Sequence, residues 1–404
     1  MNVAIIGAGA QGAPCTAILA KQPGIGRVLL ASSKLAAADS VRARIGSAKV
    51  IAAECDANDA GAVARTVREK LGAVDVVIDM TPSFCSQSVM RAALALNTNY
   101  LNTAACPDHL AQMIAGKPLD LHAEFVAAKC TALLGCGVSP GTSNIICRRF
   151  CDELDTVDRI ELRAGFHVPA QHEAIKTWMP AWSPEQQYFD FCDPPCLFHD
   201  GKHEHMPRFY EPETYDFGPP LGEVQLTHHA HDEQYSLPIL IGKGIQYCCY
   251  KYPFEPAVAT FCATGFTHDA VVEVNGVKVK PVDVLMQLLP RPVQIAVLDR
   301  EVQEQLVPII AATQAHILIT GTKGGKPKRF KIKSGVYFDE AQQALELFGT
   351  ANVAVPYAAA TGAIQLADGK TKPGIVWPEE LDAARFIELT NTLGLQLNLT
   401  VENG

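Results

Sequence analysis

No apolar run in this 404-residue chain reaches the roughly 18 residues that a membrane-spanning helix needs. Basic runs are missing as well. Lys and Arg number 34 against 43 Asp and Glu, a net charge of −9, so the chain carries no electrostatic footprint for nucleic acid. There is no internal repeat and no low-complexity tract. No two of the 13 cysteines form C-x-x-C, and their count is odd, which argues against a dithiol redox motif or a disulfide framework. Reduced, mostly buried thiols and a cytoplasmic protein are expected. The first strand is expected to begin at Asn2, which leaves no room for a signal peptide. What is present is a chain with 48% apolar residues, long enough for two or more cored domains.

The opening stretch "NVAIIGAGAQGAPC" carries the most information. A short β-rich run reaches Gly7, and Gly9 and Gly12 follow at G-x-G-x-x-G spacing. "APCTAILAKQ" then reads as a helix. In a strand–turn–helix the first glycine allows the tight turn, the second lets a pyrophosphate approach the backbone, and the third lets helix and strand pack closely. The phosphates would sit on the N–H groups at the helix start. Gly7, Gly9, Gln11 and Gly12 are therefore candidates for binding a dinucleotide.

Strands are expected again at 27–34, 49–59, 74–82 and 99–105, with helices such as 59–72 and 86–97 between them. That alternation predicts a Rossmann-type, doubly wound parallel sheet. Ligands of such sheets bind at the carboxyl ends of the strands. Thr81 and Pro82 are thereby expected near a nicotinamide, and Asp56 near an adenine. An NAD-binding chain usually has an acid at the end of strand two, for the ribose 2′-hydroxyl. Here that position reads Ala31-Ser32-Ser33-Lys34. Two hydroxyls and an ammonium suit a 2′-phosphate, so NADP is expected, with NAD still possible. The plainer reading of Lys34, as the start of a solvated helix, stays open. Further on, "GCGVSPGTSN" turns from strand to helix at Ser139-Pro140-Gly141, with Thr142, Ser143 and Asn144 as good N-cap residues. Pro140 and Gly141 are candidates for a helix start that faces the cofactor or a substrate carboxylate.

These motifs resemble those of the saccharopine dehydrogenase-like oxidoreductases. The likeness continues through "WSPEQQYFDFCDPPCLFHDGK", "HAHDEQYSLP", "VEVNGVKVKPVDVLMQLLP", "ITGTKGGKPKRFKI" and "TGAIQLADGKTKPGIVWPEEL", nearly the whole chain. One departure is Ser139, where several relatives have Asp in the turn. The resemblance implies an α/β protein: the Rossmann domain, over residues 1–138; an inserted α/β domain with a mixed sheet for substrate and dimer contacts, 139–355; and a segment, 356–404, returning to the first domain. It implies a homodimer and hydride transfer at a C–N bond of an amino acid or an N-linked amino-acid adduct (an imine or opine). Residues 167–235 lose any regular pattern, and so long a loop region points to function.

Two stretches of that region, 198–206 and 227–234, hold six of the 12 histidines: His199, His203, His205, His228, His229 and His231. Their spacing fits no metal-binding pattern, so no metal is expected, although a metalloprotein built on this cluster is one alternative. A silent NADP-binding regulator is another. The alternation 228/229/231 reads as a strand with His229 and His231 on one face. His231 is the first candidate for the general base and His167 the second. The resemblance favours His231 and Glu233 at the substrate. Arg163, Lys176 and Arg208 are candidate cations for a substrate carboxylate. Trp178 and Trp182 are candidate walls, although a Trp is more often simply packed.

Overall fold

A computed structural model describes residues 1–166, 183–289, 301, 313–335 and 353–403. Six strands come first: β1 Val3–Ile6, β2 Val28–Ser32, β3 Val50–Glu54, β4 Val76–Asp79, β5 Asn99–Asn102 and β6 Thr131–Leu133. They alternate with helices α1 Gly12–Ala20, α2 Leu35–Ile45, α3 Ala60–Leu71, α4 Ser86–Leu96, α5 Pro107–Ile114 and α6 His122–Ala127. All six strands pair in parallel, in the spatial order β3-β2-β1-β4-β5-β6. The order reverses between β1 and β4, where open sheets of this kind take their ligands.

Both faces of the sheet are covered, which is why its strands read as continuous apolar runs. Val3, Ile5, Leu30 and Ile78 face α1 and the late helix Ala354–Ala367. Ala4, Ile6, Leu29 and Val77 face the side of α3 and α4. Each branched residue so buried contributes about 1.5–3 kcal/mol. Local signals set the ends of the helices. Asp59 caps α3 by accepting from Ala62 N at 3.0 Å, and Asn97 ends α4 in the left-handed region at φ 53°.

Helix α7 Thr142–Cys151 leads into the second sheet, with strands β7 Thr156–Gly165, β8 Cys196–His199, β9 Lys202–His205, β10 Glu213–Asp216, β11 Glu223–His228 and β12 Tyr247–Pro253. Helices α8 Pro184–Cys192, α9 Glu233–Ile241, α10 Pro256–Ala263 and α11 Pro281–Leu288 belong to the same unit. A small hairpin, β13 Val272–Val274 and β14 Val277–Val279, stands apart from the sheet. The long hairpin β15 Gln314–Lys323 and β16 Lys326–Gly335 joins it. The order is β10-β11-β12-β7-β15-β16, with β7 and β12 parallel, β8 on β12, and the remaining pairs antiparallel. Along β7, Ile160 and Leu162 join the core under the helices, while Arg159, Glu161 and Arg163 line the other face.

The stretch 183–235, which reads as irregular in the sequence, thus holds one helix, four strands and the start of α9. Each of β8, β9 and β10 is four residues long, and β9 is "KHEH", too short and too polar to show an alternation.

The end of the chain returns. Helix Ala354–Ala367 packs on α1 and the first sheet so closely that a Cβ at Gly362 would lie 2.6 Å from Cys136 Sγ. Strand β17 Gly374–Val376 adds a seventh parallel strand beside β6. The last strand does not follow it: β18 Thr400–Asn403 pairs with β16 of the second sheet, so the tail is divided between the two units.

Candidate active site

The glycine loop divides its labour. Gly7 has φ +111°, and a Cβ there would stand 2.6 Å from the Met80 carbonyl oxygen. A Cβ at Gly12 would stand 1.8 Å from the Gly7 oxygen. Gly9 has nothing within 4 Å of that position, so its outer side is open. Next to it the amide oxygen and nitrogen of Gln11 are both buried and lack hydrogen-bond partners among the described residues. An open backbone edge beside an orphaned amide at the head of α1 fits the pyrophosphate of a dinucleotide.

Across the switch point, the Thr81 N–H and hydroxyl donate to Asp79 Oδ1 at 2.9 and 2.5 Å. The Tyr100 hydroxyl donates to the other oxygen of Asp79 at 2.8 Å. Burial pushes the Asp79 carboxyl up, and these bonds oppose the shift. Thr81 is thereby fixed at the rim, with Pro82 leading out of it. Asp56 is turned toward its own loop, where Oδ1 accepts from the Asn58 N–H at 2.9 Å. Ser33 and Lys34 are exposed, and Lys34 immediately precedes α2.

The turn at 135–141 serves the second unit. A Cβ at Gly141, where φ is +128°, would collide with the Gly137 oxygen at 2.0 Å. Asn144 Oδ1 accepts from Gly141 N at 2.8 Å and closes the start of α7. Pro140 and Gly141 therefore shape this turn, and the anion met at the helix start is a side chain of the protein itself. Glu233 Oε1 accepts from Ser143 Oγ at 2.6 Å and from Ser139 Oγ. Ser139 also shares a hydrogen bond of 3.0 Å with the Tyr250 hydroxyl.

Glu233 opens α9 and is fully buried. Its Oε2 accepts from His231 Nδ1 at 2.5 Å. The His231 ring lies stacked on Tyr250, 4.1 Å between centroids and 12° from parallel. Burial alone would lower the imidazole, but the Glu233 carboxylate outweighs it, helped by Asp190 and Asp232, and pushes His231 up to about 9. Burial would raise Glu233, and the His231 charge with the two serine hydroxyls brings it below the usual range. Burial pushes Asp190 up to about 7, against the pull of His231. Asp232 is pushed to about 6 by burial, while its Oδ2 accepts from Ala105 N of the first unit at 3.0 Å. Ser83, just after β4, donates to Gln186 Oε1 at 3.4 Å, and Gln186 donates to Asp190 at 2.8 Å. The acidic cluster therefore lies where the two units meet.

His231 and Glu233, both favoured at the substrate by the resemblance, come together, but not on a strand. Strand β11 ends at His228, and His229 and His231 lie on the loop before α9. His229 is a packed core residue, edge-on to Phe191, and burial lowers it to about 3. His228 meets Glu211 at 3.2 Å, and His203 bonds the Gln234 carbonyl at 3.0 Å. No three His, Cys, Asp or Glu side chains form a metal-binding group among the described residues. Arg163 is not in the cluster: it donates to Glu213 at 2.7 Å and to Glu161 at 2.8 Å, on the far face of the sheet. Arg208 Nε donates to the Cys192 carbonyl at 2.6 Å. His167, Lys176, Trp178 and Trp182 lie outside the described residues. Sequence reasoning missed Asp190, which reads there as an ordinary acid on a helix, and Asp232, passed over as a neighbour of His231.

Residues 3–133 match the model of the saccharopine dehydrogenase NADP binding domain, and residues 137–394 that of the saccharopine dehydrogenase C-terminal domain. The chain belongs to the saccharopine dehydrogenase family. It is 25% identical over 408 residues to carboxyaminopropylagmatine dehydrogenase of Synechocystis, covering 98% of this chain and 96% of that protein. It is 24% identical to carboxynorspermidine synthase of Vibrio cholerae, with the same coverages. Its fold is that of apo saccharopine dehydrogenase (L-Glu forming) from Saccharomyces cerevisiae, with a TM-score of 0.62 at 15% identity and 99% coverage of both chains. It is equally that of homospermidine synthase from Legionella pneumophila in complex with NAD, with a TM-score of 0.65 at 15% identity, covering 100% of this chain and 91% of that one. This saccharopine dehydrogenase family member is an NAD(P)-binding oxidoreductase.

Proposed function

We propose that the protein reduces an imine to a secondary amine, or runs the reverse oxidation, on a substrate that carries an amine cation beyond the reacting C–N bond. One observation carries this reading: among the described residues, His231 is hydrogen-bonded to Glu233 and has the carboxyls of Asp190 and Asp232 beside it, at the junction of the two units. The excess of acid favours a cationic substrate over one with several carboxylates. The names of the Synechocystis and Vibrio relatives, which refer to carboxylated agmatine and norspermidine derivatives, support the same class.

A bound nicotinamide supplies or takes the hydride. The protein holds and moves the proton. At neutral pH Glu233 keeps His231 protonated, so His231 acts as the donor to the nitrogen during reduction rather than as the resting base. It becomes a base for amine oxidation only near its pKa of about 9. Asp190 and Asp232 hold the distal cation. Gly7, Gly9, Gln11 and Gly12 would hold the pyrophosphate, and Thr81 would border the nicotinamide. NADP is the preferred cofactor in this reading, on Ser32, Ser33 and Lys34; changing Ser32→Asp with Lys34→Ala weakens NADP and spares NAD. Residues 1–138 form the cofactor unit and 139–355 the substrate unit, with the tail shared between them. The homodimer is proposed on the resemblance alone, and sedimentation of the purified chain tests it.

The test follows oxidation of reduced nicotinamide with imines formed in situ. Imines from a primary polyamine and an aldehyde-bearing amino acid should be reduced faster than those from lysine and a 2-oxo acid. The reading fails if no imine is reduced, or if 2-oxo acids and aldehydes are reduced equally well without an amine.

A further inference from the structure

The end of β2 lacks the acid that would hold a ribose diol, yet an acid stands there. Strands β2 and β3 pair with Ser32 opposite Glu54. The Glu54 carboxylate crosses to the head of α2, where Oε2 accepts from the Leu35 N–H at 3.2 Å. Lys34, at the cap position of that helix, makes no capping bond with its own side chain, so Glu54 does the capping from the neighbouring strand. Ser32 Oγ is taken up locally, by the Lys34 N–H at 3.4 Å. The groups that suit a 2′-phosphate, on the turn after β2, therefore stand beside a carboxylate that opposes one, at the end of β3.

We propose that Glu54 sets the balance between NADP and NAD. The inference rests on the cofactor reading above. The 2′-phosphate would arrive beside Ser32, Ser33 and Lys34, where the Glu54 charge repels it and occupies the Leu35 N–H that it would use. To bind NADP the chain must swing Glu54 away. With NAD, Glu54 stays in place and its free lone pairs accept from the ribose hydroxyls. The acid absent from β2 is thus supplied by β3, and preference for NADP is held below what the serines and the lysine alone would give.

Dissociation constants of NADP and NAD for the apoprotein, measured by calorimetry without substrate, test this. Glu54→Gln removes the charge and keeps an oxygen for the Leu35 N–H, so the cap persists. It should tighten NADP by about fivefold or more, the factor that roughly 1 kcal/mol of relieved repulsion implies. NAD should be unchanged or weaker. Glu54→Ala should shift the ratio the same way, and thermal denaturation without ligand reports the cost of losing the cap. NADP affinity that is unchanged or lower in Glu54→Gln overturns the proposal. Failure of the unaltered protein to bind either dinucleotide overturns the cofactor reading instead.

Discussion

Glu233 is the residue on which the chemistry turns, because it decides what His231 is at neutral pH. The folded pKa of His231, about 9, lies above the ordinary value of about 6.5, so the fold favours the charged ring. The stabilisation is complete below the unfolded value and is lost as pH rises through the folded one. It amounts to something on the order of 2 kcal/mol for a coupled pair of this kind. The apoprotein should therefore lose thermal stability between pH 7 and 9.5 through this pair. In Glu233→Gln that alkaline loss should shrink, and the alkaline limb of kcat/KM for reduction should move down toward pH 7. The rate itself should fall about 100-fold, the lower range for one proton-transfer group. A Glu233→Gln enzyme with an unmoved alkaline limb would show that another group donates the proton. Ser139→Ala is a milder probe. It removes one hydrogen bond to a carboxylate, about 1.5–3 kcal/mol, and should shift the limb less.

The loop between β1 and α1 separates binding from folding within six residues. A methyl at Gly12 would meet the Gly7 carbonyl, which is backbone and cannot step aside, whereas one at Gly9 meets nothing. Gly12→Ala should lower the melting temperature by several degrees and reduce soluble yield. Gly9→Val should melt like the unaltered chain while losing dinucleotide affinity by 100-fold or so, since about 2.8 kcal/mol of lost phosphate contact is that factor. Equal melting of both variants would refute this division. The same contrast explains what the sequence could reveal. The first five strands of the first sheet were legible because most are short, largely buried β-rich runs bounded by glycine or polar turns. His231 and Glu233 were named as site residues through the resemblance, whereas the hydrogen bond between them emerges only from the structure. The second sheet was legible only in part, as the mixed sheet that the resemblance implies, since β8, β9 and β10 are short and β9 is wholly polar. Asp190 was hidden because a helix such as "PEQQYFDFC" reads as solvated on its acidic side, and only the packing of α8 turns that side inward. Glu54 was hidden because its meaning comes from register: parallel pairing sets it opposite Ser32, 22 positions earlier in the chain. The turn at Pro140 and Gly141 was found, but the carboxylate of Glu233 beside it was not, because no local pattern announces that α9 will bring an acid to that helix start.

At the scale of the whole molecule, the tail ties the two units together, and Glu379 is the knot. The short helical turn Pro378–Glu380 follows β17 of the first sheet. From there Glu379 Oε1 accepts from Asn144 Nδ2 on α7 at 2.7 Å and from Ser236 Oγ on α9 at 2.6 Å. Asn144 donates to Ser236 as well, at 3.1 Å. Three segments separated by more than ninety residues thus meet on one carboxyl, a single turn away from Glu233. Oε2 of Glu379 is buried without a partner among the described residues. Burial pushes this carboxyl up to about 7, against the two hydrogen bonds, so the fold prefers it protonated. The sign follows from that. Because the folded pKa is raised, its stabilising contribution is present at acid pH, below the unfolded value, and is lost as pH climbs through about 7. Glu379→Gln keeps an oxygen for Asn144 and Ser236 and removes the titration. The melting temperature of the unaltered protein, relative to Glu379→Gln, should therefore be higher at pH 5 than at pH 8. Glu379→Ala takes the shared acceptor from two buried donors, Asn144 and Ser236, and should cost about 1–3 kcal/mol at either pH. It should also loosen the start of α7, which aims Ser139 and Ser143 at Glu233, so kcat should fall more than dinucleotide affinity. A difference between unaltered and Glu379→Gln protein that does not change with pH would mean that the carboxyl is already ionised in the fold and that the tail ties the units together by its strand alone.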